Sequence, residues 1–203
     1  SIRDSFDALL AVEPHEIQVG ILKRLRGAPI RMHDQEWGMV YNHEAPYEVL
    51  CTNALAFDLL QRLKRFARYF DLVYNSGNFR ATARLLLWGS GEPAALGDES
   101  RFAFHRFLRF SDWLYGRAAG TSGISLDRLA EFLFDYLVIA DGIAPDLAAS
   151  TIVSDYRRNP GRQLPRRIES SLVSVSTPTG FQHGVSANHA SSSARKRQTR
   201  HQS

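Results

Sequence analysis

The chain offers few side chains that could carry out chemistry, and its single thiol is the first to consider. Cys51 lies in a mostly apolar extended segment, which is typical of a small buried hydrophobic residue. The alternative is a reactive thiolate, favoured by the start of a predicted helix directly after it. One cysteine within the chain excludes an internal disulfide framework and a cysteine-rich zinc or iron–sulfur site.

The seven histidines show none of the close spacing on one helix that zinc hydrolases use. His33 and His43 lie in a loop region with three acids, Asp34, Glu36 and Glu44. A metal site needs a defined number and spacing of ligands, which this region does not supply. We therefore interpret it as a solvated polar loop.

Two further acids stand in apolar surroundings. Glu48 lies within the segment YEVL, where it is either a perturbed acid or one half of an ion pair with an arginine. Asp112 stands beside Trp113 in an aromatic-rich helix. Aromatic residues at helical spacing are more typical of a core than of a ligand pocket.

These residues sit in a chain of 203 amino acids, 44% hydrophobic, with a formal net charge of +4. The apolar fraction excludes a fully disordered protein, and no apolar run approaches the roughly 20 residues of a membrane-spanning helix. From residue 156 onward nine basic residues oppose one acid, whereas residues 1–155 carry a net charge of −4. We expect a cytoplasmic protein whose folded part is mildly acidic.

The apolar periodicity predicts a mainly α-helical fold. Helices are predicted over 1–12, 53–74, 79–88, 100–117, 126–140 and 145–158, with Asn53 and Ser125 as N-caps of the second and the fifth. Alternation predicts a short strand over 16–22 and extended segments over 39–42 and 47–52. A short helix or turn is expected around Trp37, and residues 89–98 form a loop. The serine-rich segment 159–203 is predicted to be a disordered basic tail.

The helix over 53–74 carries a basic face formed by Arg62, Lys64, Arg65 and Arg68. Such a face is usually the solvated side of an amphipathic helix. The alternative is contact with nucleic acid, but no helix–turn–helix or zinc signature accompanies it. The cluster KRQTR near the C-terminus has two corresponding interpretations. It is either a solubilising segment or a segment that binds phosphate groups non-specifically.

Several long segments resemble cobalamin-binding radical SAM proteins. ILKRLRGAPI (21–30) and WGMVYNHEAPYEVL (37–50) resemble the junction at the end of their barrel. Three others resemble their helical C-terminal domain of unknown function: QRLKRFARYFDLVYNSGNF (61–79), FLRFSDWLYGR (107–117) and GISLDRLAEFLFDYL (123–137). The resemblance implies a remnant of the last β/α barrel unit over 1–30 and a helical C-terminal domain over 31–158.

Full-length proteins of this family use S-adenosylmethionine, a [4Fe–4S] cluster held by a CxxxCxxC motif, and cobalamin. None of those cofactor-binding residues can be placed on this chain, which has no CxxxCxxC motif. We expect no cofactor or metal in the chain itself and no catalytic residue. It would correspond to a C-terminal portion of such an enzyme, with the cobalamin and radical SAM domains as partners, and would not start the reaction alone.

The resemblance predicts an accessory role: capping the open side of the barrel, shielding radical intermediates from water and shaping a small-molecule substrate site. Candidate substrate-site residues follow closely after the barrel remnant; they are Arg31, His33, Tyr47 and Glu48. The alternative function is a non-enzymatic helical module that binds nucleic acid or an acidic protein surface through the basic face and the tail. A third interpretation, a non-functional remnant, predicts poor folding, because residues 1–30 would expose a barrel-facing apolar surface with nothing to cover it.

Overall fold

A computed structural model describes residues 1–91 and 99–175 of the chain. The amphipathic helices pack around one continuous hydrophobic core. Helix α1 spans Ile2–Ala11, α2 spans Phe57–Phe70, α3 spans Arg80–Trp88 and α4 spans Ala103–Ala118. Helix α5 spans Leu126–Asp135, α6 spans Pro145–Arg157 and α7 spans Arg166–Val175. Strands β1 (Val40–Tyr41) and β2 (Val49–Cys51) form an antiparallel pair. The predicted mainly helical class is confirmed.

Helix α4 is the centre of one half of the molecule, where it contacts α1, α2 and α3. Phenylalanines fill this half: Phe6 of α1, Phe66 and Phe70 of α2, and Phe104 and Phe107 of α4. Neighbouring rings lie 5.0–5.9 Å apart between centroids, mostly edge to face, which is the arrangement that aromatic quadrupoles favour. Helix α1 therefore belongs to the same core as the helices that follow it.

Helix α6 organises the other half and contacts α3, α5 and α7. Its Asp155 is almost fully buried and accepts hydrogen bonds from the backbone N–H groups of Ala81 and Thr82 at 3.0 and 2.9 Å. The Thr82 hydroxyl donates to the same carboxylate at 2.8 Å. Because the first N–H groups of a helix have no partner within it, Asp155 serves as the N-terminal cap of α3 from a distant helix.

Two buried tyrosines are held in their neutral form by this packing. Burial raises the pKa of Tyr156, and its hydroxyl donates to the Asp127 carboxylate at 3.0 Å, which raises the pKa further. Burial likewise raises the pKa of Tyr136, which packs edge to face on Phe110. Both hydroxyls therefore stay protonated in the folded protein well above neutral pH.

Helices α2 and α5 each end in a π-helical turn, over Asp71–Asn75 and Tyr136–Ala140. In the first of these turns, Asn75 accepts a hydrogen bond from the Ile17 backbone N–H and donates one to the Ile17 carbonyl, both at 3.0 Å. The Tyr74 hydroxyl donates to the Pro14 carbonyl at 2.8 Å. These contacts hold residues 14–17, which follow α1, against the end of α2.

The strand predicted over 16–22 is wrong. The segment is extended, but a side-chain amide, that of Asn75, pairs with the backbone of Ile17. Backbone pairing is confined to its end, where Lys23 bridges Glu48 and the Val49 N–H donates to the Leu22 carbonyl at 2.9 Å. The extended segments predicted over 39–42 and 47–52 are confirmed as β1 and β2.

Asn53 is not an N-cap, and the helix predicted from it begins at Phe57 after Ala56. The Asn53 N–H donates instead to the Trp37 carbonyl at 2.8 Å, and Thr52 and Leu55 close a turn before the helix. The short helix or turn expected around Trp37 is confirmed as a turn, and a 3₁₀ helix covers Pro29–His33 just before it. Ser125 caps α5 as predicted, accepting from the Arg128 N–H at 3.3 Å.

Helix α7 lies inside the segment predicted to be disordered from residue 159. It folds because Ile168 is fully buried and Leu164 and Leu172 pack against the core, a small apolar face within a serine-rich sequence. The rest of the predicted tail, 176–203, and most of the predicted loop, 92–98, lie outside the described residues. In the part of the chain that the structure describes, no helix has the length and apolarity needed to cross a membrane.

Candidate functional site

Two of the four predicted substrate-site residues share a pocket. Arg31 lies in the 3₁₀ helix and Tyr47 directly precedes the extended run into β2; both line a cavity of about 370 Å³. Arg24, Leu25, Arg26 and Gly27 complete its wall. We call this group, residues 24–27 with Arg31 and Tyr47, the cationic pocket.

The backbone of Arg24 holds the two walls of the pocket together. Its N–H donates to the Tyr47 carbonyl at 2.9 Å, so the segment after α1 is paired with the start of β2. A turn follows in which the Ala28 N–H donates to the Leu25 carbonyl at 3.1 Å, and Gly27 takes a φ of +81° that a residue without a side chain adopts freely. This turn places Arg26 at the rim of the pocket.

The guanidinium of Arg24 is fixed by two neighbours. It donates to the Asp34 carboxylate at 2.8 Å and stacks over the Tyr41 ring at 5.1 Å. Burial, with the Asp34 charge nearby, raises the pKa of Tyr41, so its hydroxyl remains neutral beside these charges. Arg24 thus contributes a positive charge in a defined orientation.

His33 and Glu48, the other two predicted residues, do not line this pocket. The His33 ring nitrogen Nδ1 lies 3.1 Å from the Glu36 carboxylate on the protein surface. Glu48 forms an ion pair with Lys64 of α2. The ion-pair interpretation of this acid is therefore correct, but its partner is a lysine and not the expected arginine. The structure therefore places Glu48 against the helical part of the chain.

Arg24 and Arg26 were not among the predicted site residues. The basic stretch KRLRGAP, closed by a glycine and a proline, is the sequence signal that marks them. These arginines lie close to Tyr47 because residues 22–24 pair with residues 47–49, and no local sequence pattern predicts this pairing.

A second cavity, of about 420 Å³, is an apolar groove between α1, residues 19–22 and α2. Its lining includes Ile2, Ile21, Trp37, Met39 and Leu55. Trp37 is 46% exposed at this groove, and Ile2 is 47% exposed. The groove therefore leaves apolar side chains of both segments, α1 and the turn around Trp37, open to solvent.

The remaining chemically interesting residues take structural roles. Asp112 binds Arg62 at 2.6 Å and lies 3.9 Å from Arg65, which ties α4 to α2. Cys51 is half-buried in β2. Within residues 1–91 and 99–175, no group of three or more histidine, cysteine or acidic side chains is placed to hold a metal ion.

Comparison with known proteins gives a family match. A family model described as a protein of unknown function (DUF4080) matches residues 35–170. The matched range holds the hairpin, α2 to α6 and part of α7, and it includes Tyr47 but not Arg24, Arg26 or Arg31. No curated protein and no solved structure matches the chain.

Proposed function

The chain belongs to the DUF4080 family of proteins of unknown function, and we propose that it is the C-terminal accessory domain of a cobalamin-dependent radical SAM enzyme. In this role it packs against the catalytic barrel, closes its open side and shapes the substrate site. Excluding water from a radical intermediate protects it from side reactions, which is the chemical purpose of such a cap. The resemblance of residues 21–30 and 37–50 to the junction after the barrel motivates the proposal.

The observation that carries the proposal is the uneven distribution of exposed apolar side chains. Fourteen large hydrophobic residues are exposed among those described, and ten of them fall within residues 2–57. Val12, Leu25 and Met32 are 74%, 62% and 75% exposed. A large apolar patch on one side of a protein marks an interaction surface, whereas isolated apolar residues do not. Three of the ten, Ile2, Leu22 and Trp37, line the apolar groove together, and we assign the groove and its surroundings to the barrel.

The chain's own residues do not fit the cofactors of the enzyme family. A [4Fe–4S] cluster of this kind needs several cysteine thiolates, and the chain has one cysteine. We therefore assign the cluster, S-adenosylmethionine and cobalamin to the partner domains, and no catalytic step to this chain. Arg31 and Tyr47 would bind or orient a substrate.

Within the described residues, nothing about the basic face of α2 favours the nucleic-acid or acidic-surface alternative, and the tail from residue 176 onward lies outside them. The basic face of α2 is occupied by contacts within the chain: Arg62 with Asp112, Lys64 with Glu48, and Arg68 with the Thr121 carbonyl. Arg65 stacks over the Tyr115 ring, 4.3 Å from its centroid. A phosphate backbone would have to displace these partners before it could bind the face.

Association with the catalytic domains tests the proposal. We expect this chain to bind the cobalamin and radical SAM domains of its enzyme, and the double variant Val12→Ser/Met32→Ser to weaken binding at least tenfold. Two exposed apolar side chains lost from an interface cost about 1.4–3 kcal/mol together, and about 1.4 kcal/mol is tenfold in the dissociation constant. Sedimentation velocity or calorimetry measures the dissociation constant.

Ile139→Ser is the matched control, because Ile139 is 69% exposed but lies in the π-helical turn after α5, outside residues 2–57. It should leave association unchanged. No binding by the wild-type chain, or equal losses from the control and the double variant, would contradict the proposal.

A further inference from the structure

The cationic pocket has an excess of positive charge that the protein leaves unneutralised. Three arginines line it, Arg24, Arg26 and Arg31. Asp34 pairs with Arg24 at 2.8 Å, but among the described residues no carboxylate pairs with Arg26 or Arg31. Two guanidinium charges therefore remain available at one concave site.

Arg26 and Arg31 are both exposed, so their guanidinium groups are open to a ligand at this pocket. Guanidinium groups are the preferred donors for planar or tetrahedral oxyanions, since each offers several N–H groups in a fixed fork. The surplus of two positive charges matches an anion with two negative charges. A phosphate monoester has that charge near neutral pH, because its second pKa is about 6.

Tyr47 adds an aromatic wall to the same pocket. Its backbone has a φ of +59°, a region that residues other than glycine and asparagine seldom adopt and that is concentrated at functional sites. This conformation is held by the Glu44 carbonyl, which accepts from the Tyr47 N–H at 2.8 Å, and by the Arg24 N–H, which donates to the Tyr47 carbonyl. The ring is 46% exposed and lines the pocket together with Leu25.

From this juxtaposition we infer that the cationic pocket binds a small molecule bearing a phosphate monoester, with Arg26 and Arg31 on the phosphate and Tyr47 and Leu25 beside its apolar part. The inference rests on the proposed function only in taking this molecule as the substrate of the enzyme. Binding itself is a property of this chain. Arg24 acts as a positioning residue, since its guanidinium is already engaged by Asp34.

Titration of the chain with phenyl phosphate, followed by amide NMR shifts or calorimetry at pH 7.5, tests the inference. We expect saturable binding with shifts in residues 24–31 and 44–48. Phenyl sulfate, which has the same ring and one negative charge, should bind about tenfold more weakly or worse, because one charge-assisted contact is lost. Inorganic phosphate should bind no more tightly than phenyl phosphate, because it lacks the apolar part.

Variants distinguish the contribution of the arginines from that of Tyr47. Arg31→Gln and Arg26→Gln should each weaken phenyl phosphate binding about tenfold, whereas Arg157→Gln, an exposed arginine of α6 outside the pocket, should not change it. Tyr47→Asn should weaken phenyl phosphate but not inorganic phosphate. Asparagine tolerates a positive φ, so this variant retains the local backbone.

Three results would overturn the inference. They are absence of saturable binding by the folded chain, equal losses from Arg31→Gln and Arg157→Gln, and preference for inorganic phosphate over phenyl phosphate. None of these results bears on the association of the chain with the catalytic domains. Conversely, if the chain bound phenyl phosphate but did not associate with the catalytic domains, the ligand pocket would be supported and the proposed function would be contradicted.

Discussion

Replacing Phe66 with alanine is expected to lower the free energy of unfolding by about 3–5 kcal/mol, the range measured for large aromatic side chains lost from protein cores. Phe66 is fully buried in α2. Its ring lies within 5.0–5.9 Å of the rings of Phe6, Phe70, Phe104 and Phe107. Removing it opens a cavity where α1, α2 and α4 meet, and thermal or urea unfolding measures the loss.

Phe57→Ala is the matched control for this substitution. Phe57 lies at the start of the same helix but is 51% exposed, so the substitution should cost about 1 kcal/mol or less. Similar losses from the two variants would show that the aromatic cluster is not the centre of the core. The cluster matters for function because it anchors α1, whose Ile2 and Phe6 line the apolar groove.

Asp155→Ala is expected to cost about 3 kcal/mol, because a buried polar group left without its partner loses its hydrogen bond and stays out of water. The substitution strips the cap from α3 and leaves the buried N–H and hydroxyl of Thr82 without an acceptor. Urea unfolding measures the change.

Two further variants isolate the capping role of Asp155. Asp146→Ala removes an exposed acid from the first turn of α6 and should cost at most about 1 kcal/mol. Thr82→Val removes only the hydroxyl of the network and should cost less than Asp155→Ala. If Asp155→Ala destabilised the protein no more than Asp146→Ala, the cap between α6 and α3 would have no energetic importance.

Helical periodicity predicted the elements of this fold well because the amphipathic stripes are long. Leu60, Leu63, Phe66 and Phe70 recur at intervals of three and four residues, and all are buried in α2. The predicted start of that helix was wrong. Asn53 is a favourable N-cap by residue type, but its backbone N–H donates to the Trp37 carbonyl and its side chain donates to the Glu36 carbonyl. A tertiary contact overrode a local preference.

Long-range polar contacts account for most of what sequence patterns missed. Nothing local indicates that Asp155 caps α3 or that Asn75 pairs with the backbone of Ile17, since these partners are 73 and 58 residues apart. Helix α7 was missed because two of its apolar residues, Ile168 and Leu172, suffice to pack it against the core, while its serines resemble those of the tail.

The candidate site was predicted in part. Four residues were predicted because they follow closely after the junction. Arg31 and Tyr47 share a pocket, whereas His33 and Glu48 do not line it. The side on which each residue falls is set by the antiparallel pairing of residues 22–24 with 47–49, because successive side chains of an extended segment point in opposite directions. Tyr47 faces the pocket, and Glu48 reaches Lys64.

Hydrogen exchange on this chain, alone and in association with the cobalamin and radical SAM domains, tests the proposed accessory role most directly. The account predicts slower amide exchange within residues 2–57, where the exposed apolar side chains are concentrated, and unchanged exchange in α5, α6 and α7. Protection confined to α5–α7, or exchange that is identical with and without the catalytic domains, would contradict it.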